Sequence, residues 1–189
     1  MRVWLPLAVV AVLLAGCSAP ADYVPDPDPD MPTPPAGFES DYQQLFDQIS
    51  PPSPEPTFDD AGVLGFTRTY LEATNWAYAT GDISFLEAYC DPGNEHCTVV
   101  QTTGTVVVDE QLVAYGMRSY IAVSGNTVVI SAPTETGRQI EVSVINDPGE
   151  FVAADGQITE IEGSQARMVF EMEWRGSHWV MLAASEVAG

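Results

Sequence analysis

The sequence predicts an α+β domain in which helices come first and a run of antiparallel strands follows. Three observations carry that expectation. Between Phe58 and Gly81, the residues Val63, Phe66, Tyr70, Ala73 and Ala77 trace one apolar stripe at helical spacing. After Gly116, apolar and polar residues alternate in short runs divided by Gly, Pro and Asp turns. Between the two blocks lies "YCDPGNEHC", with two cysteines, a histidine and two carboxylates in nine residues.

The amino-terminal end has a different character. Twelve residues, Val3 to Leu14, are apolar apart from Pro6 and follow the positive charge of Arg2. That length suits the apolar region of a signal peptide and falls short of the ~20 residues that span a bilayer. "LAGC" comes next, Leu14 to Cys17. It resembles a bacterial lipobox, which implies cleavage before Cys17 and a diacylglycerol on its sulfur, with further acylation such as palmitate. Two acyl chains suffice for stable anchoring where one is marginal. The expectation is a signal peptide over 1–16 and a chain held outside the cytoplasm, its membrane contact made through Cys17.

Residues 17–57 read as a tether. Eleven of the 15 prolines lie between Pro20 and Pro56, interleaved with aspartates as in "PDPDPDMPTPP". Proline favours extended polyproline II, and like charges stretch a chain further, so the tether is expected to be disordered and to reach on the order of 100 Å. One stretch interrupts it. In "GFESDYQQLFDQIS", Phe38, Tyr42, Leu45, Phe46 and Ile49 fall at helical spacing, and Ser40 with Gln43 forms a capping box. A short helix over 40–49 would be marginal alone and would dock on its own domain or on a partner.

The globular domain is expected over 58–189. Thr57 is placed to cap the first helix, whose opening turn carries Asp59 and Asp60, where negative charge suits the helix dipole. Gly81 ends it. Ser84 and Glu87 form a capping box for a short helix through Phe85, Leu86 and Tyr89. The stretch 98–115 reads two ways. Its β-branched residues suit a strand, while Val99, Thr103, Val106, Glu110 and Val113 suit a helix ended by Gly116. Strands then follow in "NTVVIS", "RQIEVSVI", "GQITEIE", "RMVFEMEW" and "HWVMLAAS". In "RMVFEMEW", Met168, Phe170, Met172 and Trp174 alternate with Arg167, Val169, Glu171 and Glu173.

Charge and cysteines narrow the function. The formal net charge is −21, and it becomes more negative once Arg2 leaves with the signal peptide. Such a chain repels phosphate, which excludes nucleic acid as a partner. With Cys17 acylated, Cys90 and Cys97 form an even pair in an oxidising compartment, and Pro92-Gly93 turns the chain between them. A disulfide is the economical reading. Zinc would want a fourth ligand beyond Cys90, Cys97 and His96, and a redox pair would be spaced Cys-x-x-Cys. No metal or cofactor is expected, since the sequence has no Gly-rich phosphate loop and no His-rich metal spacing.

Helices followed by a sheet ending in the hairpin "FEMEWRGSHWVML" resemble the nuclear transport factor 2-like fold, in which a curved antiparallel sheet wraps a helix into a cone. Within it, "FTRTYLEATNWAYATGDISFLEAYCDPGNEHC" resembles an uncharacterised family of actinobacterial lipoproteins, through Phe66, Tyr70, Trp76, Tyr78, Gly81-Asp82, Leu86 and the cysteine pair. The likeness covers roughly Pro54 to Leu182. The cysteines of that family sit closer together, and its segment after the second cysteine is helical without this valine and threonine content. The resemblance implies a pocket lined by Phe66, Tyr70, Met168, Phe170, Met172 and Trp174, and it implies no activity, because a fold alone never does. The first reading is a non-catalytic module that binds a small ligand or a protein in the cell envelope. An isomerase- or hydrolase-type enzyme using an inward carboxylate, among Asp109, Glu110 and Glu141, is the alternative. A structural accessory module of an envelope complex is the third. No catalytic residue is assigned.

Overall fold

The computed structural model describes residues 49, 51–53, 57–122 and 128–187. The expected signal peptide, Cys17 and the tether as far as residue 48 lie outside the described residues, while Ile49, Ser53 and Thr57 of the stretch read as tether contact the domain.

Helix α1 spans Asp60–Thr80. Its cap is Asp59 rather than Thr57: Asp59 Oδ1 accepts the Gly62 N–H at 2.7 Å, while Thr57 Oγ1 donates to Asp59 itself. The carboxylate at the cap meets both the orphan amides and the positive helix end. Threonines are poor helix formers, yet Thr67, Thr74 and Thr80 are buried in α1, each hydroxyl donating to the carbonyl one turn back at 2.8–3.1 Å. Gly81 ends the helix at φ 76°, where a Cβ would also stand 2.1 Å from Val108 Cγ2.

Helix α2, Ser84–Tyr89, lacks the expected capping box. Asp82 does that work, accepting the Ser84 N–H at 2.9 Å and the Trp76 indole N–H at 3.1 Å, and the buried Ser84 Oγ makes no hydrogen bond among the described residues. The cysteine pair, Cys90 and Cys97, forms a disulfide across a sequence separation of 7. Closing so short a loop restricts the unfolded chain by about 2–3 kcal/mol in the chain-entropy account.

The stretch with two readings is mostly helix. Helix α3 spans Glu95–Asp109 and is followed by a three-residue strand, β1, Val113–Tyr115. Its cap and its buried face outweigh its β-branched composition. Asn94 caps it, accepting the Cys97 N–H at 3.2 Å. Thr98, Thr102, Thr103 and Thr105 each donate to the carbonyl four residues back. Val100, Gly104 and Val107 are buried along one face, and a Cβ on Gly104 would lie 2.8 Å from Ile83 Cγ2, so glycine permits the close approach of α3 to the α1–α2 unit.

The remaining strands are β2 Ser119–Ile121, β3 Val129–Ser131, β4 Gly137–Asn146, β5 Gly149–Val152, β6 Ile158–Ile161, β7 Ser164–Arg175 and β8 His178–Glu186. They form two antiparallel sheets. The larger runs β2-β4-β7-β8, with β3 pairing farther along β4, and the smaller runs β1-β5-β6. The register between β7 and β8 shifts between Glu171 and Met172, a bulge that bends the sheet. The alternation in β7 is as its sequence implies: Phe170 and Met172 are buried while Arg167 and Glu171 are exposed. The core joins Val63, Phe66 and Tyr70 of α1 to Phe85 and Tyr89 of α2, Ile140 and Val142 of β4, and Trp179 and Met181 of β8. The architecture is α+β, with helices against antiparallel sheets.

Candidate functional site

Beyond Tyr70, α1 stops filling the sheet and a cavity of about 420 Å³ opens. One wall is the next turns of α1, with Leu71, Thr74, Asn75 and Tyr78. His96 and Thr103 of α3 form another, and Val144, Met168 and Phe170 of the large sheet form a third. Met117, Phe151 and Ile161 close the side nearest the small sheet. The lining is mainly apolar with a few placed polar groups, the usual character of a small-molecule site.

Those polar groups are ordered by strand register. Ser119 lies opposite Asn146, and Asn146 opposite Ser164. Ser119 Oγ donates to Asn146 Oδ1 at 2.7 Å, and Asn146 Nδ2 donates to Ser164 Oγ at 2.8 Å. Asn75 of α1 grips the same row from the other side. Its Nδ2 donates to the Ser119 carbonyl at 3.0 Å, and its Oδ1 accepts the Ser119 N–H at 2.8 Å. The result is a self-satisfied row crossing α1, β2, β4 and β7. Beside it, Tyr120 donates to Asp147 Oδ1 at 3.2 Å, and the Arg118 guanidinium lies 5.6 Å from the Tyr120 ring centre. Arg118, Asp147 and Glu162 are the charged residues of the lining.

His96 sits at the floor. The buried Tyr70 hydroxyl lies 2.6 Å from His96 Nδ1 and 3.5 Å from Cys97 Sγ. Burial, with a smaller push from Tyr78, raises the Tyr70 pKa far above the ordinary phenol range, so Tyr70 keeps its proton and donates. Neutral His96 therefore accepts at Nδ1 and carries its hydrogen on Nε2. Nε2 makes no hydrogen bond among the described residues. Burial lowers the His96 pKa below its ordinary 6.5.

The structure separates the six residues expected to line a pocket. Met168 and Phe170 line this cavity. Phe66, Tyr70 and Met172 are packed in the filled core beneath it. Trp174 stands about 20 Å along β7 from Met168 at ~3.4 Å per residue, with its ring against Phe58 and Trp179 at 5.4 and 5.2 Å. Asp109 is exposed, and Glu141 pairs with Arg167 outside the cavity. His96, weighed in the sequence only as a zinc ligand, stands in the first turn of α3 and lines the hollow. The signal for it was present: His96, Val100, Thr103 and Val107 share a helical face once α3 is read as a helix.

No protein-family model matches the sequence, and no curated protein matches it. Among solved structures, the chain is similar to the intermembrane space region of the chloroplast protein ARC6, at 13% identity and a TM-score of 0.50, over 71% of this chain and 100% of that one. It is also similar to an NTF2-like protein of unknown function in nutrient uptake from Rhodospirillum rubrum, at 19% identity and a TM-score of 0.37, over 63% of this chain and 96% of that one. An uncharacterised protein with a cystatin-like fold from Caulobacter vibrioides matches at 12% identity and 0.37, over 65% and 86%. The first likeness is one of fold alone.

A pH dependence follows from His96. Its proton binds more tightly in the unfolded chain, so its contribution to stability is full above about pH 6.5 and is lost as pH falls through the lowered folded value. His178, lowered by burial and by Arg175, acts in the same direction. Urea unfolding at about pH 7.5 and about pH 5.5 should show stability falling with pH, and His96→Gln should lose less of it. An equal loss in the variant would contradict the assignment.

Proposed function

We propose that this chain is an envelope lipoprotein, fastened outside the cytoplasm through Cys17, whose nuclear transport factor 2-like domain binds a small amphipathic molecule. The observation that carries the binding reading is the hollow of about 420 Å³, which falls in the usual range of ~300–1,000 Å³ for ligand sites. Elsewhere the same helix and sheet close on each other through Phe66, Tyr70 and Met172. The polar row supports binding rather than chemistry, because its amides and hydroxyls hold one another in place across the strands and offer a bound head only their further hydrogen-bonding capacity. Leu71, Val144, Met168 and Phe170 suit an apolar body, and Ser119, Asn146 and Ser164 suit an uncharged polar head. A net charge of −21, with Asp147 and Glu162 beside the site, selects against an anion.

The anchor rests on the sequence alone: an apolar leader, "LAGC", and a long proline-rich spacer that a tethered module would use for reach. Mass spectrometry of the membrane-derived protein should find Cys17 as its first residue with a diacylglycerol on its sulfur, and a retained Met1 or an unmodified thiol would remove the anchor. For the cleft, the neutral solvatochromic dye Nile red should bind the full chain at one site, and Met168→Trp should weaken it at least roughly tenfold. Dye affinity unchanged by Met168→Trp would take the cleft out of the reading.

A further inference from the structure

A second cavity, about 440 Å³, opens between α3 and the small sheet and shares Thr103, Phe151 and Ile161 with the first. The two form one trough beside α3, with His96 at its inner end and Glu110 at its outer end. At ~1.5 Å per residue along the helix, Thr103 divides it into halves of about 10 Å each. Val106, Leu112 and Ala153 line the outer half, and exposed Glu110 and Gln157 mark where it ends. Thr102 and Thr103 already donate to the carbonyls of Thr98 and Val99, so they have no hydroxyl hydrogen to spare for a ligand.

The polar row lies beside the junction of the halves. Asn146 pairs with Ser164 and Gly149 with Ile161, so the row and the shared Ile161 are joined by one short turn on each side. Gly163 keeps those turns close, since a Cβ there would stand 2.9 Å from the Pro148 nitrogen. Ser164 Oγ accepts from Asn146 Nδ2 at 2.8 Å, which leaves its own O–H to donate. Apolar surface therefore flanks a polar middle: Leu71, Met168 and Phe170 lie inward, and Val106, Leu112 and Ala153 lie outward. Among the described residues, the carboxylates of Glu110, Asp147 and Glu162 line the trough against one guanidinium, that of Arg118. A free carboxylate or phosphate on the ligand would be repelled.

We propose that the trough binds a neutral two-armed lipid, an ester or secondary amide whose carbonyl meets Ser164 at the junction and whose unbranched arms run into the two halves. The inference rests on the cleft being a binding site, and it names the ligand class. With carbon–carbon bonds of about 1.5 Å at about 111°, a zigzag chain advances ~1.25 Å per carbon, so each half holds about eight carbons. Each buried methylene is worth roughly a factor of four in affinity. The position of the carbonyl along the chain thus sets selectivity, because carbons beyond the eighth on one arm leave the other half unfilled. A second copy is the weaker occupant, since two chains of charge −21 repel each other.

The test displaces Nile red from the full chain with three esters: hexyl hexanoate, its isomer ethyl decanoate, and the shorter ethyl hexanoate. Hexyl hexanoate places a six-carbon arm in each half and should displace the dye at a concentration at least roughly tenfold lower than ethyl decanoate. Val106→Trp, which fills only the outer half, should weaken hexyl hexanoate at least roughly tenfold and leave ethyl hexanoate unchanged. Isomers of equal potency overturn the proposal, as does hexyl hexanoate binding untouched by Val106→Trp. Sedimentation showing a dimer that Val106→Trp splits assigns the outer half to a second copy and overturns it too. If Nile red itself fails to bind, the cleft reading falls and takes the proposal with it. If the dye binds and ethyl hexanoate displaces it while the isomers tie, the cleft stands and the two-armed ligand alone is wrong.

Discussion

The structure turns on Tyr70. From α1 it reaches His96 at 2.6 Å and Cys97 at 3.5 Å, and its ring meets the edge of Phe170 on β7 with centres 6.0 Å apart. One side chain thus joins the long helix, the start of α3, the disulfide and the large sheet. Toward the start of α1, the space is packed with Phe66, Phe85 and Tyr89 in mutual ring contact. One turn beyond Tyr70 the space is empty. Removing the hydroxyl would leave a half-buried imidazole nitrogen unpaired, at about 1–3 kcal/mol, and would loosen the floor on which the cavity stands.

Why the hollow persists is a matter of side-chain size. Helix α3 is built from valine, threonine and glycine, with Thr103 and Gly104 at its middle. Gly104 draws α3 tightly to α1. Thr102, Thr103 and Val106, facing the small sheet, are too short to cross to Ala153 and Thr159. The same composition lowers intrinsic helix propensity. That loss is offset by the Asn94 cap, by the buried face of Val100 and Val107, and by the disulfide at the first turn. An open cleft and an improbable helix are two results of one choice of residues.

Much of the fold was legible where a period had room to repeat. The α1 stripe, the alternation along β4 and β7, and the stop at Gly81 show plainly in the residues, and so does the cysteine pair. Strands β1, β2 and β5 are three or four residues long and show no period. The caps were misplaced because Thr57, Asp59, Asp82 and Ser84 are all chemically able to cap, and only the path of the chain selects Asp59 and Asp82. The site was half legible. Met168 and Phe170 share a face with Met172 and Trp174, but which part of that face is covered depends on where α1 and α3 diverge. No local pattern encodes that divergence. His96 stayed hidden for the same reason as α3: without the helix, nothing places it over Val100 and Thr103.

The hydrogen bond at the floor can be observed directly. Long-range nitrogen–proton correlation spectra of the imidazole rings, recorded above about pH 7.5 where His96 is neutral, report which nitrogen bears the hydrogen. The account predicts His96 in the Nε2–H form with Nδ1 as an acceptor, and a return toward a mixture of tautomers in Tyr70→Phe. A His96 ring protonated at Nδ1 in the wild type would contradict it.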